Sequence, residues 1–351
     1  MSSLTIMSWN IQTLGTSKLN KRPGGAELLR LIAKVVHNSK CQIAAFCEMR
    51  SQLGGYIGTE VAKHLHALNG TTWAHEATDP KIQLGTGKEQ YLFMWNTALV
   101  DKSTAHAAAF QLDFQDPATG KLIGFPRQKK SDRPPFLGRF KVSPPGGTAR
   151  EIRIAVFHAP GPGYQNGVAR AAQGMAAVTE FREEGYQCLL VGDFNVKVST
   201  VAVPAPGTQT RGSKAFGPLV ARMAPPPGAG PAANAFVQLL DNNQETSLTT
   251  YQQAFPGMLR GDCRSAPYDQ VFHREVGAAA GAGIEYGIED LIEDALPVPA
   301  GTNTLAAELL ALRHKQPALS HLAHYTSVEE AFVDFRRLVS DHLPVVVEIP
   351  L

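Results

Sequence analysis

Apolar runs that stop abruptly at a polar residue recur along this chain, and they predict its strands. Leu4 to Ile11 reads as a first strand ending in Trp9-Asn10, and Gln42 to Cys47 as a short buried strand that ends at Glu48. Between them, Leu28, Leu29, Ile32, Val35 and Val36 repeat at helical spacing and predict an amphipathic helix over Ala26 to Asn38. Tyr91 to Trp95 predicts another strand. Phe136 to Val142 and Ile152 to Phe157 read as a neighbouring pair around the turn-forming Pro144-Pro145-Gly146-Gly147, the second ending in His158. Val168, Ala172, Met175, Val178 and Phe181 then mark a helix that leads into Leu189-Leu190-Val191, which breaks off at Gly192-Asp193-Phe194-Asn195. On an extended chain Asp193 and Asn195 share a side and can face one ligand; equally, Gly192-Asp193 can be a plain turn after a strand.

The second half is less regular. From 203 to 235 the chain is rich in Pro, Gly and Ala, which predicts a surface insertion, since Pro225-Pro226-Pro227-Gly228 holds neither a ladder nor an ordinary helix. A second irregular region, 277 to 320, carries an acidic segment and a short helix from Leu305 to Arg313. Val328, Phe332, Phe335 and Val339 mark a further helix, and Pro344 to Ile349 a last strand. Strands interleaved with helices, several of them apolar on both faces, predict two packed sheets with helices outside: a four-layer α/β/β/α sandwich, one domain over residues 1–351 with two surface insertions.

At 44% hydrophobic and 18% charged, the 351 residues can bury a large core. A formal net charge of +2 excludes the whole-molecule basic field of a protein that coats nucleic acid, so any such contact would be a local patch. No apolar run is long enough to span a bilayer, and the N-terminus shows no cleavable signal pattern, so the expectation is a soluble monomer made in the cytoplasm, with any export independent of a signal. Cys41, Cys47, Cys188 and Cys263 lack metal-type pairing and read as reduced thiols.

Composition leaves the chemistry open; the strand ends narrow it. Asn10, Glu48, Glu89, His158, Asp193, Asn195, Asp269, Asp341 and His342 all stand where apolar runs stop. If those ends share one edge of the sandwich, they form a cleft with five carboxylates, two histidines and two amides. So many acids call for a cation, and oxygen ligands favour Mg2+, with Mn2+ or Ca2+ as alternatives, over zinc. Glu48 is a sufficient anchor for it, with Asp341 or Asp193 close by. A histidine paired with an acid serves as general base or general acid, and two such pairs could serve the two ends of one hydrolysis.

The segments Ser8-Trp9-Asn10-Ile11, Cys47-Glu48-Met49-Arg50, Phe157-His158-Ala159-Pro160, Val191-Gly192-Asp193-Phe194-Asn195, Tyr268-Asp269-Gln270-Val271 and Ser340-Asp341-His342-Leu343-Pro344-Val345 resemble, in order, the motifs of the endonuclease/exonuclease/phosphatase superfamily. Lys88-Glu89-Gln90-Tyr91-Leu92-Phe93 and Glu48-Met49-Arg50 resemble its deoxyribonuclease I branch in particular. The resemblance implies a sandwich of the deoxyribonuclease I type and a Mg2+-dependent DNA endonuclease. It implies Glu48, Asp193 and Asp341 at the metal, Asn10, Asn195 and Arg133 at phosphate, Arg50 in the DNA minor groove, and the catalytic pairs Glu89–His158 and Asp269–His342. Two departures stand out: Gly87 replaces the branch's aromatic before Lys-Glu, and Val196-Lys197-Val198 lacks its cysteine. The alternative on the same fold is a phosphatase or phospholipid phosphodiesterase acting on inositol phosphates or sphingomyelin. A nuclease toxin with a protein inhibitor as partner is a further expectation about setting.

Overall fold

The computed structural model describes residues 3–21, 23–50, 52–80, 88–106, 109–112, 133–159, 186–195, 237–240, 246–248, 268–274, 304–317, 325 and 328–351. The helix expected at 168–181 and the insertion expected at 203–235 lie outside them, as does Cys263.

Two sheets carry the fold. The first contains β1 (Ser3–Leu14), β2 (Ile43–Met49), β3 (Trp73–Ala77), β4 (Gln90–Asn96) and β12 (Val345–Pro350), in the order β12-β1-β2-β4-β3. The second contains β5 (Val100–Lys102), β6 (Phe110–Gln111), β7 (Phe136–Val142), β8 (Arg150–His158), β9 (Gln187–Asp193), β10 (Val237–Gln238) and β11 (Asp269–Arg274). Its order is β10-β11-β9-β8-β7-β5, with β6 against β7. Among the described residues the α-helices are α1 (Gly25–Asn38), α2 (Gly54–Asn69), α3 (Thr304–His314) and α4 (Val328–Leu338), with a short π-helical turn at Ser17–Lys21. The architecture is the four-layer α/β/β/α sandwich.

β1 and β2 are parallel and joined through α1, which buries Leu28, Leu29, Ile32, Val35 and Val36 on the first sheet. Helices on one face and the second sheet on the other leave these strands no wet side, and that is why they are apolar at consecutive positions. The space between the sheets is filled by rings: Phe93 stacks on Phe136 at 5.4 Å between centroids and meets Phe140 edge-on at 5.3 Å.

α2 and β3 are elements that hydrophobic spacing does not announce. Gly54, Gly55 and Gly58 weaken the helical pattern of α2, and Gly58 is there because a Cβ would come within 2.6 Å of the His75 ring on β3. α3 lies within the second irregular region, yet it packs into the helical layer. It buries Leu305, Leu309 and Leu312, and Glu308 pairs with Arg30 and Lys34 of α1. Cys41, Cys47 and Cys188 are buried free thiols. Among the described residues, no helix is long and apolar enough to cross a membrane.

Candidate active site

Strand direction decides which ends meet. β8 and β9 are parallel, so His158 and Asp193, their last residues, are register partners; β11 runs against β9, so its first residue, Asp269, pairs with Asp193. In the first sheet β4 runs against β2, which brings Glu89, just ahead of β4, to the edge where Glu48 sits. Asp341 and His342 arrive at the same edge between α4 and β12. All eleven residues singled out from sequence lie there.

The backbone is bent to hold them. Gln12 and Thr13 have φ of 37° and 52°, breaking the β1–β2 register after Asn10. The Gln12 amide donates to Asn10 Oδ1 at 2.9 Å and the Thr13 amide to Glu48 Oε2 at 2.9 Å. Glu48 itself sits at φ 63° and Asn195 at φ 50°. Left-handed non-glycine residues are costly, and four of them cluster at this edge. Asp193 and Asn195 do meet, though not as members of an extended strand: Asn195 lies beyond the end of β9, in the left-handed region. The Asn195 amide N–H then donates to Asp193 Oδ1 at 2.8 Å and its Nδ2 to Asp193 Oδ2 at 3.1 Å. Gly192 answers to packing, because at φ 133° a Cβ would lie 2.0 Å from the Phe157 carbonyl oxygen.

Each acid–histidine pair is closed. His158 Nδ1 is 2.8 Å from Glu89 Oε2, and His342 Nδ1 is 2.7 Å from Asp269 Oδ2. The other ring nitrogens converge: His158 Nε2 lies 3.6 Å and His342 Nε2 3.7 Å from Asp193 Oδ2, which also accepts from Asn10 Nδ2 at 2.9 Å. Burial alone would drive both rings toward neutrality. For His158 the hydrogen bond to Glu89 and the charges of Asp193, Glu89 and Glu48 outweigh it and raise the pKa; for His342 Asp269 and Asp193 raise it to about 10. Burial also acts to raise Glu89, but His158, Arg133 and Arg50 pull its carboxyl below the usual range. Glu48 and Asp193 are raised, chiefly by burial and partly by neighbouring carboxylates.

Further residues support the two pairs. Each pair joins one sheet to the other, and each has a residue bonded to both sides. Arg133 donates from Nη2 to Glu89 Oε1 at 2.9 Å and from Nη1 to the Ala159 carbonyl at 2.9 Å. The Thr246 hydroxyl donates to Asp269 Oδ2 at 2.7 Å, while its carbonyl accepts the Leu343 amide at 2.8 Å. The Ser340 hydroxyl donates to the Asn10 carbonyl at 2.7 Å and accepts from the His342 amide at 3.1 Å. Trp9 Nε1 holds the His342 carbonyl at 3.0 Å, and the Tyr91 hydroxyl accepts from the His158 amide at 3.1 Å. Nothing in the local sequence marks Thr246. Arg50, expected in a DNA groove, is folded onto Glu89 Oε1 at 3.5 Å.

Glu48, Glu89 and His158 form a cluster suited to a divalent metal, with donor atoms within 4.8 Å of one another. Glu89 and His158 are already each other's partners, so Glu48, 3.4 Å from His158 Nε2, is the member left for an ion. Buried carboxylate oxygens of Asp269 and Asp341 lack partners among the described residues. Crowded carboxylates with raised pKa values and unsatisfied oxygens fit a hard dication.

No family model and no curated protein sequence matches the chain. Solved structures do. A mannosyl-6-phosphatase of Bacteroides thetaiotaomicron VPI-5482 superposes with a TM-score of 0.52 at 14% identity, covering 99% of this chain and 100% of that one. An endonuclease/exonuclease/phosphatase family protein of the same species gives 0.52 at 14%, over 99% and 97%. D. rerio TDP2 in complex with a single-strand DNA product gives 0.51 at 11%, over the whole of both chains. The fold is that of the endonuclease/exonuclease/phosphatase superfamily; none of these structures is named a deoxyribonuclease I.

Proposed function

We propose that this chain is a divalent-cation-dependent hydrolase of phosphate esters. The carrying observation is that His158 Nε2 and His342 Nε2 face one carboxylate oxygen, Asp193 Oδ2, from two separate acid–histidine pairs. One ring accepts the proton of the water that attacks phosphorus, and the other protonates the departing oxygen. Glu89 and Asp269 fix the ring orientations and stabilise the imidazolium that forms. Asn10 spends one amide hydrogen on Asp193 and keeps a second for a phosphate oxygen, whereas Asn195 Nδ2 gives its hydrogens to Asp193 and the Ala159 carbonyl and would have to release one to meet phosphate. A cation held by Glu48, with Asp193 and Asp341 nearby, supplies positive charge to the phosphate oxygens when bound; Mg2+ suits this oxygen set, with Mn2+ or Ca2+ as alternatives.

For the substrate, the phosphatase or phospholipid phosphodiesterase reading has the better support. Arg50 is turned into the site, where a guanidinium meets the substrate phosphate instead of a neighbouring groove, and the fold matches a mannosyl-6-phosphatase along its whole length. The DNA endonuclease reading stands second, favoured by the Glu48-Met49-Arg50 and Lys88 to Phe93 segments and by the match to TDP2 with a DNA product. A direct contest measures phosphate release from sugar and inositol phosphates, cleavage of sphingomyelin, and nicking of supercoiled plasmid, each with Mg2+ and with chelator. Nicking alone would overturn the first reading, and inertness in all assays the proposal as a whole.

A further inference from the structure

The resemblance gives Arg133 to phosphate. The geometry points elsewhere, and we infer that Arg133 is a positioning residue, a strap that holds Glu89 against His158 across the gap between the two sheets. Glu89 precedes β4 of the first sheet and His158 ends β8 of the second, so their 2.8 Å contact depends on how the sheets are held together at this edge. Arg133 bonds once on each side, to the Glu89 carboxylate and to the carbonyl of Ala159, the residue after His158, both at 2.9 Å. Ala159 is tied in turn to the rest of the site, its amide donating to the Asp193 carbonyl at 2.7 Å and its carbonyl accepting Asn195 Nδ2 at 3.1 Å.

A planar guanidinium is the side chain able to reach two acceptors in fixed directions; an ammonium is a point charge without that fork. Each terminal nitrogen of Arg133 gives one hydrogen bond to a protein oxygen, and its side chain is 14% exposed. Arg50, with one longer contact to the same Glu89 oxygen and a side chain 37% exposed, is the cation at liberty to turn toward substrate. The two arginines therefore divide the labour: Arg133 fixes the pair, and Arg50 meets the phosphate.

The test compares Arg133→Ala, Arg133→Lys and Arg50→Ala by two readouts. In steady-state kinetics on the substrate that proves active, a positioning role lowers kcat of Arg133→Ala by about 10²-fold with KM within about twofold. Arg133→Lys recovers part of it, and Arg50→Ala chiefly raises KM. The kinetic arm rests on the phosphate-ester reading, but the second readout stands without it. In 15N-edited NMR, the His158 Nδ1–H signal, assigned by its loss in His158→Gln, is expected in the wild type and in Arg50→Ala and to be weakened or lost in Arg133→Ala. Arg133→Lys serves in its place if the alanine variant does not fold. An unchanged His158 signal, or a KM rise at constant kcat, would overturn the inference.

Discussion

His158 and His342 point their Nε2 atoms at the same oxygen of Asp193, at 3.6 and 3.7 Å, from opposite sheets. Under the proposed function, these two proton carriers, each backed by its own carboxylate, would serve the two proton transfers of a hydrolysis. Replacing either ring by alanine should therefore lower turnover by at least about 10²-fold. The double variant should fall well short of the product of the two losses, because the rings act on one reaction. Steady-state rates of the three variants on a common substrate test this, and a single variant with near-normal turnover defeats the assignment.

The strand ends are legible in the sequence because most site residues adjoin an apolar run, where a doubly buried strand gives way to its polar edge. The straps are not. Arg133 and Thr246 act through distant partners, Glu89 with Ala159 and Asp269 with Leu343, so no local spacing marks them. Asn195 does not extend the strand as alternation predicts: it bonds to Asp193 from a left-handed conformation at φ 50°. α2 is hidden because its glycines lower helix propensity, Gly58 to make room for His75 and Gly54 for Ala77. Where substrate specificity is concerned, the short segments that resemble deoxyribonuclease I leave open what the folded-in Arg50 contacts.

Thr246 offers a cleaner perturbation than its acid. Thr246→Val keeps the shape but leaves Asp269 Oδ2 with His342 as its only side-chain donor among the described residues. The Thr246 hydroxyl also accepts the Asp269 amide at 3.0 Å, so two hydrogen bonds go and a stability loss of about 2–3 kcal/mol is expected. Turnover should drop about tenfold as the second pair loosens, with Thr246→Ser close to wild type. Urea melts and kcat for the two variants check the paired expectation; a Val variant with unaltered kcat would show that Asp269 needs no such help.

The proposed cation site makes Glu48 its anchor. Chelator should abolish turnover, and Glu48→Gln should shift the Mg2+ activation curve upward at least about tenfold while leaving the fold intact. Titration calorimetry with Mn2+ gives the same comparison without any substrate. An unshifted curve would move the ion elsewhere on the carboxylate edge.

Gly192 belongs to the scaffold. An added methyl group would lie 2.0 Å from the Phe157 carbonyl oxygen at a φ of 133°, so either the β8–β9 pairing or the turn behind it must give way. Gly192→Ala should destabilise the protein by about 2–5 kcal/mol, combining backbone strain with overpacking. Equilibrium unfolding measures this, and a loss below about 1 kcal/mol would mean that the strands part easily.

The buried His342 also makes a prediction about pH in the cation-free protein. Burial opposes its charge, but Asp269, Asp193 and Asp341 overcome that and lift its pKa to about 10, above the roughly 6.5 of an unfolded chain. A group whose folded pKa is raised holds its proton more tightly in the native state. Its stabilising contribution is complete below about pH 6.5 and fades as pH rises toward 10. In chelator, His342→Gln should therefore cost more stability at pH 7 than at pH 9.5. Urea midpoints of wild type and variant at the two values provide the measurement, and a difference that grows with pH would show that the imidazolium is not what the three carboxylates hold.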